Sequence, residues 1–257
     1  MTASGKPETR LEVCGSTDLA GARAVVTGAA GGIGSALVAA LAERGARVHG
    51  LDIADVVTAE GEDHVTGVRC DVTDPAAVAH ALAGAASPEG AIDVVVAAAG
   101  RFPNRPLEQW SLEQFDALWR LNVGGVFNVV REALPYLRRS SAGRVVLVSS
   151  SAAHQAVPGF APYAATKAAL IGFARSAAAE LAPDGVTVNV VTPGLTATAA
   201  ALDGDVAPFF APVVAGQLIR RRLEPCDLVG GVLFLCSPGS AMVTGQVLNI
   251  DGGSVTY

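Results

Sequence analysis

Short, continuous apolar runs recur along the chain, separated by alanine-rich stretches, and this alternation restricts the fold more than any other feature. The runs lie at 23–27 (RAVVT), 46–51 (ARVHGL), 65–70 (VTGVRC), 93–98 (DVVVAA), 143–149 (GRVVLVS), 186–191 (VTVNVV) and 246–250 (QVLNI). Most are apolar throughout rather than alternating, which fits strands buried on both faces, as in a parallel sheet covered by helices. The stretches at 32–44, 75–86, 111–137, 160–182 and 225–236 read as those helices. Asp74 before Pro75 supplies an N-cap and an N1 proline, and Ser111 with Gln114 makes a capping-box pattern. The alternation predicts an α/β, Rossmann-like, doubly wound fold: a seven-stranded, mainly parallel sheet flanked by helices on both faces. Residues 1–20 are polar and aperiodic and read as a flexible N-terminal arm, and no linker divides residues 21–257, which are expected to form a single domain.

Composition narrows the function classes. Of 257 residues, 51% are apolar and 16% charged, as in a chain that folds around a core. A net charge of −6, with no basic stripe interleaved with aromatics, argues against nucleic-acid binding. No apolar run approaches the roughly 18 residues that span a bilayer. The opening MTASGKPETR lacks the apolar core of an export signal, so a cytoplasmic location is expected. Cys14, Cys70, Cys226 and Cys236 form no Cys-x-x-Cys pair and have no histidine at zinc spacing. They read as free thiols of a reducing compartment, and no metal site is expected.

The first strand runs straight into Thr27-Gly28-Ala29-Ala30-Gly31-Gly32-Ile33-Gly34, with a helix beginning there. Glycines let backbone approach a pyrophosphate, and the helix start offers free N–H groups and a favourable dipole. Asp52 ends the second strand, where a carboxylate accepts hydrogen bonds from an adenosine ribose and repels a 2′-phosphate. With no arginine at Ala30 or directly after Asp52, the pattern favours NAD over NADP. Asp71-Val72, closing the third strand, is placed to meet the adenine edge.

Tyr163 and Lys167 lie four residues apart in a helical run and so share a face. The chain has two lysines against sixteen arginines, which makes the position of Lys167 informative. A phenol of pKa about 10 is ionised about one part in a thousand at pH 7, and lowering that by three units takes about 4 kcal/mol. One ammonium about 4 Å away supplies about that much at an effective dielectric near 20. Tyr163 is therefore a candidate base for an alcohol proton. Ser149, Ser150 and Ser151 end a buried strand and are equivalent at this level. Asn122, in the middle of a helical pattern, competes for backbone hydrogen bonds and either holds a water or kinks the helix.

Together these residues resemble the short-chain dehydrogenase/reductase family in its single-domain form, over about residues 20–254. The resemblance rests on TGAAGGIG at 27–34, Asp52, Asp71-Val72, Asn122, Ser150, Tyr163-x-x-x-Lys167, and Pro193-Gly194 followed by Thr198. The thirteen-residue step to Tyr163 singles out Ser150. The resemblance implies a dinucleotide-binding catalytic domain and an NAD-dependent oxidoreductase that moves hydride between nicotinamide and a secondary alcohol or ketone. It implies Tyr163 as general acid/base, Ser150 orienting the substrate oxygen, Lys167 lowering the tyrosine pKa and binding ribose, and Asn122 holding a relay water. The cofactor would meet Gly28, Gly32, Ile33, Gly34, Asp52, Ile53, Asp71, Val72, Ala98, Gly100, Tyr163, Lys167, Pro193, Thr196 and Thr198. His154, Gln155 and Phe160, between serine and tyrosine, would line the substrate pocket with Ser150 and Tyr163. The segment 195–224 would form a flap whose Leu202, Phe209, Phe210, Val213 and Val214 suggest a largely apolar small-molecule substrate. Arg101 and Arg105 are expected to be solvated loop charges. The last strand and Asp251-Gly252-Gly253 imply a homotetramer or homodimer. One departure is Ala97-Ala98-Ala99-Gly100, where the family usually has Asn-Asn-Ala-Gly, which costs a side-chain hydrogen bond in the sheet. Two other readings are an NADPH-dependent ketoreductase and a non-catalytic dinucleotide-binding sensor on the same fold.

Overall fold

A computed structural model of the chain describes residues 18–56, 64–86 and 90–256. Seven strands form one sheet: β1 (Arg23–Thr27), β2 (Arg47–Asp52), β3 (Val65–Arg69), β4 (Val94–Ala97), β5 (Arg144–Val148), β6 (Thr187–Pro193) and β7 (Val247–Ile250). Their order is β3-β2-β1-β4-β5-β6-β7, and every pairing is parallel rather than merely most of them. The helices are α1 (Gly32–Glu43), α2 (Pro75–Ala86), α3 (Leu112–Trp119), α4 (Gly125–Leu137), α5 (Ala161–Leu181), α6 (Ala199–Leu202), α7 (Phe210–Gly216) and α8 (Pro225–Cys236).

The continuous apolar runs have a direct physical cause. Successive residues of a strand point to opposite faces, and both faces are covered. Val25, Val95 and Leu147 face one core, with Leu82 of α2, Val129 of α4 and Leu170 of α5. Val26, Val96 and Val146 face the other, with Leu37 and Leu41 of α1 and Leu233 of α8. Both capping patterns form: Asp74 Oδ1 accepts from Ala76 N at 2.9 Å, and Ser111 and Gln114 close a capping box. Residues 1–17 of the expected arm lie outside the described residues, as does Cys14. The arm's last part is packed rather than loose: Leu19 is buried in the second core and its N–H donates to Arg44 O at 3.1 Å.

The stretch 111–137 is not the one helix expected. A π-helical turn, Arg120–Gly124, separates α3 from α4. Its wider ring shows in Gly125 N, which donates to both Arg120 O and Leu121 O. The extra residue carries Asn122 into the interior, where it is wholly buried. Gly125 follows because a Cβ there would lie 2.6 Å from Val72 Cγ2.

Chain order reverses between β1 and β4, so the loops leaving their C-terminal ends part and open a crevice. Beyond β6, the segment carrying α6 and α7 arches over that edge and is anchored by the turn after β7. There Asp251, itself buried, accepts from Gly253 N (2.9 Å), Ser254 N (3.2 Å) and Val255 N (2.9 Å). Its backbone oxygen accepts from Gln217 Nε2 at 3.0 Å, and Gly252 O accepts from Ile219 N at 2.8 Å. Replacing Asp251 with Ala strips three backbone donors of their acceptor, at a cost of about 2–4 kcal/mol. Urea unfolding of Asp251→Ala should show a loss of that size; a change below about 0.5 kcal/mol, the usual range of an innocuous surface substitution, would remove this turn from the anchoring role.

Candidate active site

The C-terminal edge of the sheet collects most of the residues singled out from sequence. The glycine-rich turn leaves β1 through Gly28, whose φ of 70° belongs to the left-handed region. A Cβ on Gly28 would meet Ala99 Cα at 2.9 Å, one on Gly32 would meet Thr198 Cγ2 at 2.7 Å, and one on Gly34 would overlap Gly28 O. The turn is thus a cradle of bare backbone closed on one side by Thr198. It feeds the N-terminus of α1, which has no side-chain cap and no acidic residue in its first turn. Those N–H groups and the positive end of the helix dipole suit a pyrophosphate.

Asp52, at the end of β2, accepts from Ala30 N and Ala54 N, both at 3.0 Å, which fixes its carboxylate beside the cradle. Its register partner on β3 is Arg69, which the sequence reading missed because register is invisible until the strands are paired. Among the described residues the two form no ion pair. Ile53 is 56% exposed, directed away from the core. The Asp71 carboxylate is taken by Thr73 N and Oγ1, both at 2.8 Å, while Val72 is buried and its carbonyl accepts from Asn128 Nδ2 at 3.0 Å. Where the alanines replace asparagines after β4, Thr27 Oγ1 accepts from both Ala98 N and Ala99 N at 3.1 Å. That hydroxyl keeps the loop seated without the lost side-chain bond. Pro193 ends β6, and Thr196 Oγ1 donates to Gly194 O at 3.0 Å.

Tyr163, Thr166 and Lys167 all lie on the buried side of α5. Lys167 Nζ donates to Val148 O at 2.8 Å and sits 5.9 Å from the centre of the Tyr163 ring. Ser149 and Ser150 part company here: Ser149 Oγ donates to Lys167 O at 2.7 Å, whereas Ser150 is hydrogen-bonded to the Tyr163 side chain. Asn122 is locked by three polar contacts. Its Oδ1 accepts from Arg101 N at 2.9 Å, and its Nδ2 donates to Arg101 O at 2.9 Å and Thr166 Oγ1 at 3.0 Å. Thr166 Oγ1 in turn donates to Tyr163 O at 2.7 Å. A Cβ on Gly100 would lie 3.0 Å from Asn122 Oδ1 and 3.5 Å from Lys167 Nζ, so Gly100 leaves the space between them open. Thr166 was not singled out from sequence; its position one residue before Lys167 is the only signal there was.

Burial sets the acidities here. It pushes the Tyr163 phenol up to about 12, partly opposed by the Ser150 hydrogen bond, and pulls Lys167 down to about 8. The expected depression of the phenol by its lysine is therefore absent in the protein alone: desolvation outweighs an ammonium at this distance. His154 and Gln155 are half-buried, with burial holding His154 below the usual histidine range. Phe160 tilts against Tyr163 with ring centres 5.4 Å apart, and joins Phe102, Leu195 and Phe209 around buried Phe210. Phe102 is a further residue the sequence reading missed, since only the folded loop brings it to this wall. Arg105 is not simply solvated: it bonds Gln114 Oε1 at 2.6 Å and stacks over Trp110. Among the described residues no group of three or more His, Cys, Asp or Glu side chains is placed to hold a metal, and no helix is long and apolar enough to cross a membrane.

Comparison with known proteins bears on this arrangement. A family model described as enoyl-(acyl carrier protein) reductase matches residues 28–255. A 3-oxoacyl-[acyl-carrier-protein] reductase of Vibrio cholerae is 34% identical over 243 residues, 92% of this chain and 98% of that one. The cis-4-hydroxycyclohexanecarboxylate dehydrogenase of Sinomonas cyclohexanicum is 37% identical over 244 residues, 90% of this chain and 95% of the relative. A short-chain type dehydrogenase/reductase from Mycobacterium marinum superposes with a TM-score of 0.89 at 30% identity, over 96% of this chain and 99% of the other. With its parallel sheet, glycine cradle and buried tyrosine–lysine turn, the chain belongs to the short-chain dehydrogenase/reductase family of oxidoreductases.

Proposed function

We propose that this protein is an NAD-dependent dehydrogenase/reductase that transfers hydride between nicotinamide and a secondary alcohol or ketone, with Tyr163 as the general acid/base. One observation carries the reading. Tyr163 and Lys167 are buried on α5, with Ser150 bonded to the phenol and Asn122 locked alongside, at the same sheet edge as the uncapped α1 and Asp52. A protein that only bound a dinucleotide would have no use for a buried phenol bonded to a serine hydroxyl.

The residues fit a dinucleotide: the cradle and the start of α1 take the pyrophosphate, Asp52 the adenosine ribose, Lys167 the nicotinamide ribose. When bound in its oxidised form, the nicotinamide supplies a hydride acceptor and a positive charge. Tyr163 takes the alcohol proton, or returns it to a ketone, while Ser150 holds the same oxygen in line. Lys167, protonated at neutral pH with a pKa of about 8, provides the charge that an ionising phenol needs in so dry a site. Thr166 and Asn122 position the tyrosine from behind, by its backbone oxygen. The carboxylate of Asp52 favours a free 2′-hydroxyl over a 2′-phosphate, which supports NAD over NADP.

Tyr163→Phe should lower kcat by about 10²–10⁴-fold, the usual worth of a general acid/base, while NADH binding followed by fluorescence persists. Activity that survives the substitution removes the assigned base. Asp52→Ala leaves Arg69 facing the ribose end without its acidic neighbour. The ratio of kcat/KM for NADP over NAD should then rise about tenfold, equivalent to about 1.4 kcal/mol, and an unchanged ratio would show Asp52 does not set cofactor choice. Lys167 also gives a stability signature. Its pKa falls from 10.5 unfolded to about 8 folded, so between those values the unfolded chain binds the extra proton. Burial of the charge therefore costs most below pH 8, and stability rises as pH climbs above it. Between pH 7.5 and 9.5, wild type should gain about 2 kcal/mol over Lys167→Met in urea unfolding without dinucleotide. A difference that stays constant with pH would mean the ammonium is not desolvated.

A further inference from the structure

One cavity lies outside the machinery described so far. About 470 Å³ in volume, it is lined by Phe210, Ala211, Val214 and Ala215 of α7 and by Arg220 and Arg222. Its walls are apolar and the only charged groups on it are two guanidiniums. Leu223, the residue after Arg222, accepts from Ala197 N at 2.7 Å and bridges Thr196, which stitches this segment to the backbone just past β6. Phe210 is buried in the same cluster as Phe160, whose ring packs on Tyr163. Two aromatic rings, Phe210 and Phe160, thus connect the cavity to the proposed acid/base.

The arginine segment is held in place. Arg221 points elsewhere, in a two-pronged pair with Asp227 at 2.5 and 2.6 Å, and Asp227 also accepts from Glu224 N at the start of α8. Arg222 lies 5.3 Å from the centre of the Phe210 ring. Arg221 has its carboxylate in Asp227, whereas among the described residues neither Arg220 nor Arg222 is paired with one. In a chain of net charge −6, two guanidiniums with no acid beside an apolar cavity form a local reversal of sign. A guanidinium presents paired donors that match the oxygens of a carboxylate or phosphate. The volume falls within the range of small-molecule sites, roughly 300–1,000 Å³.

We propose that the substrate is an amphipathic anion, its apolar body in this cavity and its carboxylate or phosphate between Arg220 and Arg222. The proposal rests on the oxidoreduction assigned to Tyr163 and names the class of molecule that reaction acts on. The anion has two sources, the acid group of the substrate itself or the phosphate of a phosphopantetheine arm that carries it as a thioester.

Calorimetry on the full chain with saturating NADH separates these. The probes are hexanoate, its neutral methyl ester and S-hexanoyl phosphopantetheine, titrated into wild type and Arg220→Ala/Arg222→Ala, with folding of the variant checked by thermal melting. The expected result is hexanoate binding at least tenfold tighter than the ester, a preference lost in the double variant and weakened by salt. An arginine-dependent preference confined to the thioester assigns the anion to the carrier phosphate instead. Equal binding of acid and ester with no arginine effect on the thioester, or no binding of any probe, overturns the proposal. The two readings fail separately. Arginine-dependent binding, with no hydride transfer to or from any hydroxy or oxo derivative, defeats the dehydrogenase reading and leaves the anion site standing. Turnover of neutral alcohols without any arginine effect does the reverse.

Discussion

The amide of Asn122 is the interaction on which the arrangement of the site depends. It lies in a π-helical turn between α3 and α4, wholly out of water, and each of its polar atoms has to find a protein partner there. Those partners come from two other parts of the chain: both backbone groups of Arg101, past β4, and the hydroxyl of Thr166 on α5. Three segments far apart in sequence are thereby pinned by one side chain. Leaving such a group unpaired in the interior costs about 1–3 kcal/mol, so the loop after β4 and the helix bearing Tyr163 are not free to drift apart. The irregular helix is the geometric condition for this, because a regular α-helical turn would not carry the extra residue inward.

The same dryness that makes the network strict sets the chemistry in tension. Tyr163 and Lys167 are driven in opposite directions by one cause, the phenol up to about 12 and the ammonium down to about 8, each toward its neutral form. A site built this way holds the phenol proton firmly in the protein alone. The alternative, a well-solvated phenol with an adjacent lysine, would ionise more readily but would also exchange its proton with bulk water. The hydrogen bond from Ser150 works against burial, and the carbonyl of Val148 holds the ammonium in place without cancelling its charge.

Much of this was legible in the chain, for identifiable reasons. The strands were readable because burial on both faces leaves no room for polar residues, so RAVVT and GRVVLVS state their environment directly. Caps were readable because the side chains that make them act on backbone two or three residues away, as Asp74 and Ser111 do. Tyr163 and Lys167 were readable as a pair because a helix converts a spacing of four into a shared face. What escaped depends on contacts between distant segments. Arg69 faces Asp52 only through the register of β2 and β3, and Phe102 meets Phe160 only once two loops have folded together. The π turn showed only as Asn122, a residue ill suited to a helix interior; nothing in LNVGGVF says that the irregularity is one extra residue per turn. The acidity of Tyr163 was misjudged because a Coulomb argument between two side chains leaves out the solvent that both have lost.

The division between what was legible and what was not follows the division of labour in the molecule. The groups proposed to hold a dinucleotide and move a proton sit on or at the ends of β1, β2, β5, α1 and α5, elements whose position the two cores dictate. The cavity proposed to take the substrate is lined by the segment between β6 and α8, which is tied down by the Thr196–Leu223 bridge and by the turn around Asp251. Between those anchors the segment is short of buried contacts of its own, with Ala201, Val206 and Phe210 as its small core. Such a segment can change its residues without disturbing the sheet, which is why chemistry is carried by rigid elements and selectivity by loops. It also explains why two arginines tolerate an apolar neighbourhood here. Both are exposed, and the Arg222 guanidinium lies over the face of the Phe210 ring, an arrangement that brings positive charge to the cavity without placing any unpaired charge in the core.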